Sequence, residues 1–574
     1  MEISQSSLSG DKNYSRSSIT ILLAVITLTL LFSFRSSEQI GDALFYANAA
    51  KTGGLDFISK KLLLGPILSI FYRTLASITN CDAIFAAQIH NFIWATIAIL
   101  AIYVTLENLV GSRISAVMAA LFMLVTNCFW IWSNQADAYL PVLSCFALLA
   151  MLLIRHENTL CNWKHTLLLS AVVAVSVLYH QTSVLFCVPL GIYLLSSYGR
   201  FGLQKLMSVL VISGVVVLSV YIAAYCYLHP DRTLTHFIDW TLSGKSGPIW
   251  GTFDNYTIKG FKALLNSQVR NIVIIPHSLE VLRKLVKFIL AIALTFVLVW
   301  NAYRVIKKAP SHQARTFYLT WWLVYSLFAL WWLPKYRQLI VSNIVPIVAL
   351  GSLTLCDLVA HPRFRVMRRY GIIGITLGIA SISTSNLFAS VLPMQSSRGD
   401  DYEEARKLFA LAGEECLIMS GWRDGLSLEY YFNRKPLYIR QQLLNFYYVS
   451  QAEERRLAFV SSKNLCSVGA IKYILPNHRI DRVDGYKQPI EWLAFAEWFF
   501  QVKYNPQSKQ LAYSIMDTAV DDDNNLYFII DHSSRRTVPE LGAMFEELDQ
   551  AVSWKMGVGT SGFYNWFVKF QSSE

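Results

Sequence analysis

The feature that most limits what this chain can fold into is a series of long apolar runs between residues 18 and 391. About 20 apolar residues, rising 1.5 Å each, cross the hydrocarbon core of a bilayer. The runs are long enough for this. They predict membrane spans near residues 18–34, 84–106, 114–132, 138–154, 166–180, 183–198, 205–228, 284–306, 316–333, 338–357 and 370–391. A soluble globular fold is therefore excluded for the first 392 residues.

The charged residues divide the chain into two parts at Pro393. The 392 residues before it hold 30 basic and 14 acidic residues, whereas the 182 residues from Pro393 onward hold 20 basic and 24 acidic ones. Lys and Arg are enriched in cytoplasmic loops of membrane proteins, so the excess of positive charge does not indicate a nucleic-acid partner. We predict a multi-span α-helical transmembrane domain over residues 1–392 and a soluble domain over residues 393–574.

The apolar run that starts at His165 decides the number of spans. It is too long for one span, and His180 lies in its middle. The basic loops all lie on one side of the membrane only if this run crosses twice, as a tight helical hairpin. We therefore predict about eleven spans in a plasma or inner membrane, a cytoplasmic N-terminus and an extracytoplasmic tail. The basic loops are those with Lys12 and Arg16, Arg113, Arg155 and Lys164, Arg200 and Lys205, Lys307 to Arg315, and Arg363 to Arg369.

The tail alternates predicted strands and helices, which is typical of a small α/β domain. ECLIMSGW at 415–422 predicts a strand, Asp424 is a candidate cap for a helix through SLEYYFN, and SQAEERRLAFVSSKN predicts a helix from Ser450. LAYSIMD and NNLYFIID flank the turn DDDNN and predict a β-hairpin. No Gly-rich phosphate loop follows the first strand, so a nucleotide site is not predicted.

Acidic residues are rare before Pro393, so their positions are informative. Asp42 follows the first span and Asp137 begins the fourth, both on the predicted outer face. An ionisable group at a membrane boundary costs free energy, and one that is present there is a candidate for function. The alternative for each acid taken alone is a solvated interfacial side chain.

Bases and further titratable residues collect at the same level. His180 lies at the tip of the predicted hairpin, and Lys335 and Arg337 lie between two spans. Taken singly, His180 could close a turn, and the two cations could extend to the lipid headgroups. Together with the acids they provide a base, an orienting group and an anion-binding pair. The second large outer loop adds His229, Asp231, His236 and Asp239.

Four segments resemble the GT-C superfamily of membrane glycosyltransferases, in particular the branch of the protein O-mannosyltransferases and the lipid A aminoarabinose transferase. They are GDALFYANAAKTGG around Asp42, NQADAYLPVLSCFALLAMLLIRH around Asp137, SVLYHQTSVLFCVPLGIYLL around His180, and LPKYRQLIVSNIVPIVAL around Lys335. The resemblance covers residues 1–390 or so. Two features depart from it: Asp42 is followed by Ala43 instead of a second acid, and LDFISKKLLLGPILS replaces a His-Pro-Pro-like stretch.

The resemblance implies transfer of a sugar from a polyprenyl-phosphate donor in the bilayer to a protein, lipid or glycan acceptor on the extracytoplasmic side. It implies an inverting reaction with Asp42 as the base. Asp137 then orients the acceptor or holds an optional divalent cation, Mg²⁺ or Mn²⁺, although a lone carboxylate binds such a cation weakly. Lys335 and Arg337, with His180, are the predicted ligands of the donor phosphate. Acceptor binding is the predicted role of His229, Asp231, His236 and Asp239.

Other functional classes share parts of this pattern. A transporter or flippase of lipid-linked sugars would have the same topology, but it is expected to show repeated halves and ionisable groups at the bilayer midplane, which the sequence does not show. A receptor that uses its spans only as an anchor needs far fewer of them. The large first outer loop favours the GT-C order over that of an O-antigen-ligase-like enzyme.

Overall fold

The computed structural model of the chain divides into two compact units, with the boundary after Ser396. The first unit is helical, and the second contains strands. The residues that the structure describes are 9–37, 39, 42–52, 59–155, 162–229, 234–242, 256–332, 334, 337–360, 367–396, 402, 405–406, 416–420, 422–433, 437–438, 456–459, 504–505, 510–511, 514–520 and 526–531.

Several helices of the first unit overlap the predicted apolar runs, and others lie between these runs. In chain order they are α1 (Ser9–Ser33), α2 (Ala43–Thr52), α3 (Leu64–Ile78), α4 (Ala83–Val110), α5 (Arg113–Leu124), α6 (Asn127–Ser133), α7 (Tyr139–Arg155), α8 (Trp163–Tyr179), α9 (Cys187–Leu228), α10 (Leu234–Leu242), α11 (Ile258–Ile272), α12 (Glu280–Ile306), α13 (His312–Trp332), α14 (Ile344–Ala360), α15 (Met367–Asn386) and α16 (Leu392–Ser396). Short 3₁₀ segments at Ser59–Lys61, Gln181–Phe186, His277–Leu279 and Arg337–Asn343, and a π segment at Leu387–Val391, lie between them.

Polar residues and one glycine determine where the central helices α4 and α5 begin and end. The Asp82 side chain accepts a hydrogen bond from the Phe85 N–H (2.6 Å) at the start of α4. The Ser112 hydroxyl accepts one from the Ser115 N–H at the start of α5. Between them Gly111 adopts a left-handed conformation (φ 69°), which glycine reaches without a steric cost. α4 thus spans 28 residues before the chain turns back.

The chain reverses direction at both ends of the first arm of α9. Lys205 Nζ donates to the Asn162 carbonyl (3.3 Å) near the start of α8, and Gln181 Nε2 donates to the Tyr221 hydroxyl (3.1 Å) near its end. Helix α8 and residues 205–221 therefore run in the same direction, and residues 181–198 return between them. The second reversal is at Gly199 (φ 55°), inside α9. This geometry is what the helical-hairpin interpretation requires.

Six stretches of the described chain are long and apolar enough to cross a membrane: Arg16–Ser33, Ala83–Val110, Gln181–Leu228, Glu280–Ile306, Arg337–Val359 and Ile373–Gln395. A seventh would be formed by α5 and α6, but these helices are bent by 62° relative to each other. The span predicted near residues 114–132 is therefore broken between Leu124 and Asn127. The total of about eleven spans stays a prediction.

Large aromatic side chains form a core between α7, α13 and the 3₁₀ segment Gln181–Phe186. The rings of Phe146 and Phe186 stack with their centroids 4.5 Å apart, and Trp321 contacts both rings edge-on. Tyr325 of α13 also contacts Phe146 and donates a hydrogen bond to the Thr182 carbonyl (3.2 Å). This packing holds the segment after His180 against the rest of the bundle.

The second unit contains a five-stranded sheet. Strands β1 (Cys416–Ser420), β2 (Leu437–Tyr438), β3 (Arg456–Phe459), β6 (Ser514–Val520) and β7 (Leu526–Asp531) pair in the order β2-β1-β3-β7-β6, and β4 (Tyr504–Asn505) pairs with β5 (Gln510–Leu511). β1 is parallel to β2 and β3, and β7 is antiparallel to β3 and β6. The predicted first strand and the hairpin around DDDNN are therefore present.

Two local predictions for this unit are wrong. Arg456–Phe459, inside the segment predicted as a helix from Ser450, is the strand β3. Its pairing with strands on both sides outweighs the helix-forming composition of the segment. Asp424 is not a cap, because helix α17 (Trp422–Phe432) already begins at Trp422. Since most of residues 433–574 lie outside the described chain, the α/β assignment of the whole tail stays a prediction.

Candidate active site

A buried ion pair lies at the centre of the candidate site. Lys61 Nζ is 2.7 Å from Asp137 Oδ1, and the two side chains are 7% and 2% exposed. Asp137 Oδ1 also accepts a hydrogen bond from the Ala138 N–H (2.6 Å). Lys61 ends the 3₁₀ segment Ser59–Lys61 that precedes α3, whereas Asp137 lies in the loop between α6 and α7. The pair therefore joins the first outer loop to the start of the fourth predicted span.

Two tyrosine rings complete the surroundings of Lys61. Its Nζ lies 4.5 Å from the ring centroid of Tyr46 in α2 and 5.0 Å from that of Tyr139 in α7. The negative face of an aromatic ring attracts a cation at such distances. Burial disfavours the ammonium, but the attraction of Asp137 and the neighbouring groups outweighs this and raises the pKa of Lys61 well above its usual value. Lys61 is therefore charged at neutral pH.

Buried side-chain amides hold the loop that carries Asp137. Gln88 of α4 donates to the carbonyls of Ser36 (2.7 Å) and Asn134 (3.0 Å). Asn134 Oδ1 accepts from the Ser36 N–H (2.9 Å), and Gln39 bonds to the Asn134 carbonyl and to the Ala136 N–H. A buried loop without regular structure needs such partners, because its peptide groups are shielded from water. The position of Asp137 is thus determined by the packing of α1, α4 and the segment after α1.

Asp42 lies next to this pair but is exposed. Its carbonyl accepts a hydrogen bond from the Tyr46 N–H (3.2 Å), so the residue stands directly at the start of α2. Its carboxylate is close enough to interact electrostatically with Lys60, Lys61 and Asp137. Burial lowers the pKa of the half-buried Lys60, and Asp42 opposes that shift. The site therefore contains the accessible carboxylate of Asp42, the ion-paired carboxylate of Asp137 and the two adjacent lysines.

His180 belongs to the same cluster and is a neutral imidazole. Its Nδ1 accepts hydrogen bonds from the N–H (3.3 Å) and hydroxyl (2.8 Å) of Thr182, which places the ring proton on Nε2. Burial, and then the charges of Lys61 and Lys60, lower the pKa of His180 to about 3. Its ring centroid is 5.4 Å from that of Tyr139. At neutral pH His180 can donate a hydrogen bond, but it cannot add positive charge for a phosphate.

Arg337 lies at the start of the 3₁₀ segment before α14. It donates from Nε to Asn271 Oδ1 (3.1 Å) and from Nη2 to the Arg270 carbonyl (3.1 Å). The next residue, Gln338, accepts a hydrogen bond from the Tyr139 hydroxyl (3.3 Å). Arg337 is therefore linked to the ring that contacts Lys61, and part of its guanidinium stays accessible.

The remaining predicted residues are only partly tested. Lys335 and Asp231 lie outside the described residues, as does the side chain of Asp239. His229 packs in an aromatic cluster with Tyr225 (5.2 Å) and Trp240 (6.4 Å), and His236 is exposed on α10. Helix α10 packs against Ser59–Lys61, so this loop borders the site.

The sequence reasoning missed four residues of the cluster, namely Lys60, Lys61, Tyr46 and Tyr139. One signal was available, because two adjacent lysines on the predicted outer side run against the rule that Lys and Arg mark cytoplasmic loops.

The described residues do not fit a divalent cation at Asp137. The ammonium of Lys61 already occupies the space at Oδ1, and a second cation there would be repelled. Within the described chain, no three His, Cys, Asp or Glu side chains come close enough to share a metal ion.

The fold and part of the sequence are similar to known glycosyltransferases. Residues 64–225 match the family described as dolichyl-phosphate-mannose-protein mannosyltransferase. The crystal structure of ArnT from Cupriavidus metallidurans bound to undecaprenyl phosphate superposes with a TM-score of 0.57 at 10% identity, covering 90% of this chain and 98% of that one. This is the GT-C fold. The apo state of the same ArnT gives a TM-score of 0.53 at 10% identity, with coverages of 79% and 94%.

Weaker similarity extends to one further GT-C enzyme. The Archaeoglobus fulgidus oligosaccharyltransferase gives a TM-score of 0.48 at 12% identity, over 80% of this chain and 70% of that one. A search of curated proteins found no match. The family match and the ArnT structures confirm the predicted resemblance to GT-C enzymes, and the transporter alternative is not favoured.

Proposed function

We propose that this GT-C protein transfers a sugar from a polyprenyl-phosphate donor to an acceptor hydroxyl on the extracytoplasmic side of the membrane. The observation that carries the proposal is the grouping of the exposed Asp42 with Lys60 and the buried Lys61–Asp137 pair on one face of a GT-C fold. A lipid-linked donor places its phosphate and sugar at this level, because its chain lies in the bilayer. The undecaprenyl phosphate in the ArnT structure supports this class of carrier.

Positive side chains are the groups that bind the donor phosphate. Lys60 and Lys61 lie beside Asp42, and Arg337 lies beyond Tyr139 with part of its guanidinium accessible. Charged hydrogen bonds from such groups stabilise the negative charge that develops on the leaving phosphate. Lys335, two residues before Arg337, is proposed for the same role. His180 donates from Nε2 to a phosphate or sugar oxygen as a neutral group.

The reaction is a single displacement. The acceptor oxygen attacks the anomeric carbon, and Asp42 takes the hydroxyl proton as the new C–O bond forms. The bond between the anomeric carbon and the phosphate oxygen breaks, and its electron pair leaves with the polyprenyl phosphate. One displacement inverts the anomeric centre. Asp42 suits the role of base because it is exposed to an incoming acceptor, whereas Asp137 is committed to Lys61.

Asp137 acts through Lys61, since its carboxylate holds the ammonium in place. No step of the displacement is assigned to a metal, because the ion pair does not suit Mg²⁺ or Mn²⁺ at Asp137. The acceptor is proposed to enter beside α10, and His229, Asp231, His236 and Asp239 are the candidates for its contacts. The extracytoplasmic location of the site and tail is part of the proposal, and the short basic loops predicted on the opposite side of the membrane support it.

The substitution Asp42→Asn tests the proposal, because it keeps the size of the side chain but removes its basicity. A general base contributes about 100- to 10,000-fold to the rate, so release of polyprenyl phosphate from a radiolabelled polyprenyl-phosphate hexose should fall by that factor in membranes. Binding of the donor should change less than about threefold, because other groups hold the phosphate. Glu280→Gln, which neutralises an exposed acid at the start of α12, is the matched control. A rate for Asp42→Asn within a few-fold of wild type would remove Asp42 from the mechanism.

A further inference from the structure

Two adjacent polar residues of α4, His90 and Asn91, are buried beside the site but belong to none of the roles above. Asn91 is 1% exposed and His90 5%. The Asn91 amide donates to the Trp132 carbonyl at the end of α6 (3.4 Å) and to two carbonyls of the loop before α7, those of Gln135 and Asp137 (3.2 Å). One side chain thus contacts both ends of the turn that carries the Asp137 carboxylate.

The hydrogen bonds of His90 determine its tautomer. Its Nδ1 is 3.0 Å from Asn91 Oδ1, which can only accept, so the proton is on Nδ1. Its Nε2 is then an acceptor, and it receives the Trp94 indole N–H (3.1 Å) and the Tyr179 hydroxyl (3.0 Å). Tyr179 is the last residue of α8 and directly precedes His180. The chain of contacts therefore runs from the Asp137 loop through Asn91 and His90 to the residue before His180.

We propose that Asn91 and His90 are positioning residues that hold Asp137, and through it Lys61, in a fixed position relative to His180. The proposal rests on the function proposed above. The partners come from three separate segments, α4, the loop before α7 and the end of α8, and one pair of side chains joins them. A role in packing alone would not require the end of α6 and two loop carbonyls to share a single amide donor.

Loss of the Asn91 amide removes a donor from the carbonyls of Trp132 and Asp137, whereas the Gln135 carbonyl keeps the Asp137 N–H (2.8 Å). The turn must therefore move for the first two carbonyls to find other partners. Asp137 moves with the turn, and the Lys61 ammonium loses the geometry of its ion pair. Asn301 offers a matched control. It is likewise a fully buried asparagine of a predicted span, α12, and donates to the Val297 and Leu350 carbonyls and to Thr354, away from the site.

The first experiment measures how strongly the ion pair protects the Lys61 amine from acetylation, and it needs no enzymatic assay. The purified full-length protein is treated with an amine-acetylating reagent, and the modification of Lys61 relative to the half-buried Lys60 is measured by mass spectrometry. In Asn91→Ala the ratio should rise about tenfold, as expected for the loss of a buried hydrogen-bonded contact. In Asn301→Ala the acetylation ratio should stay within about twofold of wild type, because the buried hydrogen bonds that this variant loses lie away from the Asp137 turn. An unchanged ratio in Asn91→Ala would overturn the proposal.

The second experiment separates positioning from general destabilisation. A displacement of about 1 Å at a catalytic group can lower the rate about 100-fold, so kcat of Asn91→Ala should fall about 10- to 100-fold with a nearly constant KM for the donor. His90→Asn places an amide N–H near the position of Nδ1 and should retain most of kcat, whereas His90→Gln places its amide near Nε2 and should not. Equal rates for the two His90 variants contradict the proposal, and these variants keep it testable if Asn91→Ala does not fold. If wild type shows no transfer at all, the proposed function fails, while the acetylation ratio still decides whether Asn91 positions Asp137.

Discussion

Removing the Lys61 ammonium while leaving Asp137 in place gives the strongest test of how the site is held together. In Lys61→Met the apolar stem is retained, but Asp137 Oδ1 keeps only the Ala138 N–H and is 2% exposed. Breaking a buried ion pair by removing one partner costs about 3–5 kcal/mol, because an uncompensated charge stays buried. The lost contacts with the Tyr46 and Tyr139 rings add about 0.5–2 kcal/mol. We therefore expect Lys61→Met to lower the free energy of unfolding by about 3.5–7 kcal/mol.

A double-mutant cycle measures this coupling. Asp137→Asn leaves the Lys61 ammonium without its counter-charge and should cost a similar amount, whereas Lys61→Met with Asp137→Asn removes both charges. The double variant should be less destabilised than the sum of the singles by about 3 kcal/mol. The assay is reversible denaturation in mixed micelles at pH 7, with wild type and all three variants at equal protein concentration.

An exposed ion pair of the same chain provides the control. Lys284 and Glu280 are 2.8 Å apart at i,i+4 in α12, but their side chains are 75% and 58% exposed. Such pairs contribute about 0.3–0.5 kcal/mol, so Lys284→Met should hardly change the stability. Additive effects of the two Lys61 and Asp137 substitutions would refute the conclusion that these residues form a coupled buried pair.

Three further predictions concern the phosphate, pH and topology. Arg337→Lys keeps the positive charge but loses the planar guanidinium that donates to Asn271 and the Arg270 carbonyl. Binding of polyprenyl phosphate should therefore weaken about tenfold. Unchanged binding in Arg337→Ala would mean that Arg337 has only a structural role. Because burial lowers the pKa of His180 to about 3, the unfolded state binds a proton at a higher pH than the folded state does, and the free energy of unfolding should fall as the pH drops from about 6.5 towards 3. His180→Gln should reduce this dependence of stability on pH by up to about 1.4 kcal/mol per pH unit. An unchanged pH dependence argues against a neutral buried imidazole. A cysteine introduced at Ser572 should react with an impermeant maleimide in intact cells and one at Ser311 should not, and the reverse pattern defeats the predicted topology.

The sequence predicted the helical bundle well, because the physical cause of each helix is local. An apolar run of sufficient length predicted α4, and its polar start at Asp82 agrees with the observed cap. The positions of Asp42 after the first predicted span and of Asp137 at the start of the fourth were also local features, since each acid lies at the end of an apolar run. These features depend on neighbours in the chain and can be read without knowledge of the packing.

The pairing inside the site could not be predicted in this way. Lys61 and Asp137 are 76 residues apart, and Ser36 and Asn134 are 98 apart, so their contacts arise only when α1, α4 and α7 pack together. The neutral state of His180 also depends on burial and on two lysines from another segment. In the tail, β3 shows the same limit, because its strand conformation comes from partners more than 30 residues away.

The turn at Gly199 has a consequence for the distant site. From Gln181 to Gly199 the chain consists of one 3₁₀ segment and the first arm of α9, with a length of about 30 Å, which is the thickness of the hydrocarbon core. A side chain at Gly199 would be strained by the positive φ, and one at Gly202 would place its Cβ 1.9 Å from the Leu194 carbonyl oxygen. A residue with a side chain at either glycine must therefore change the turn between the two arms of α9. The first arm and the 3₁₀ segment before it lead back to His180, so the position of this imidazole depends on two glycines at the opposite end of that arm.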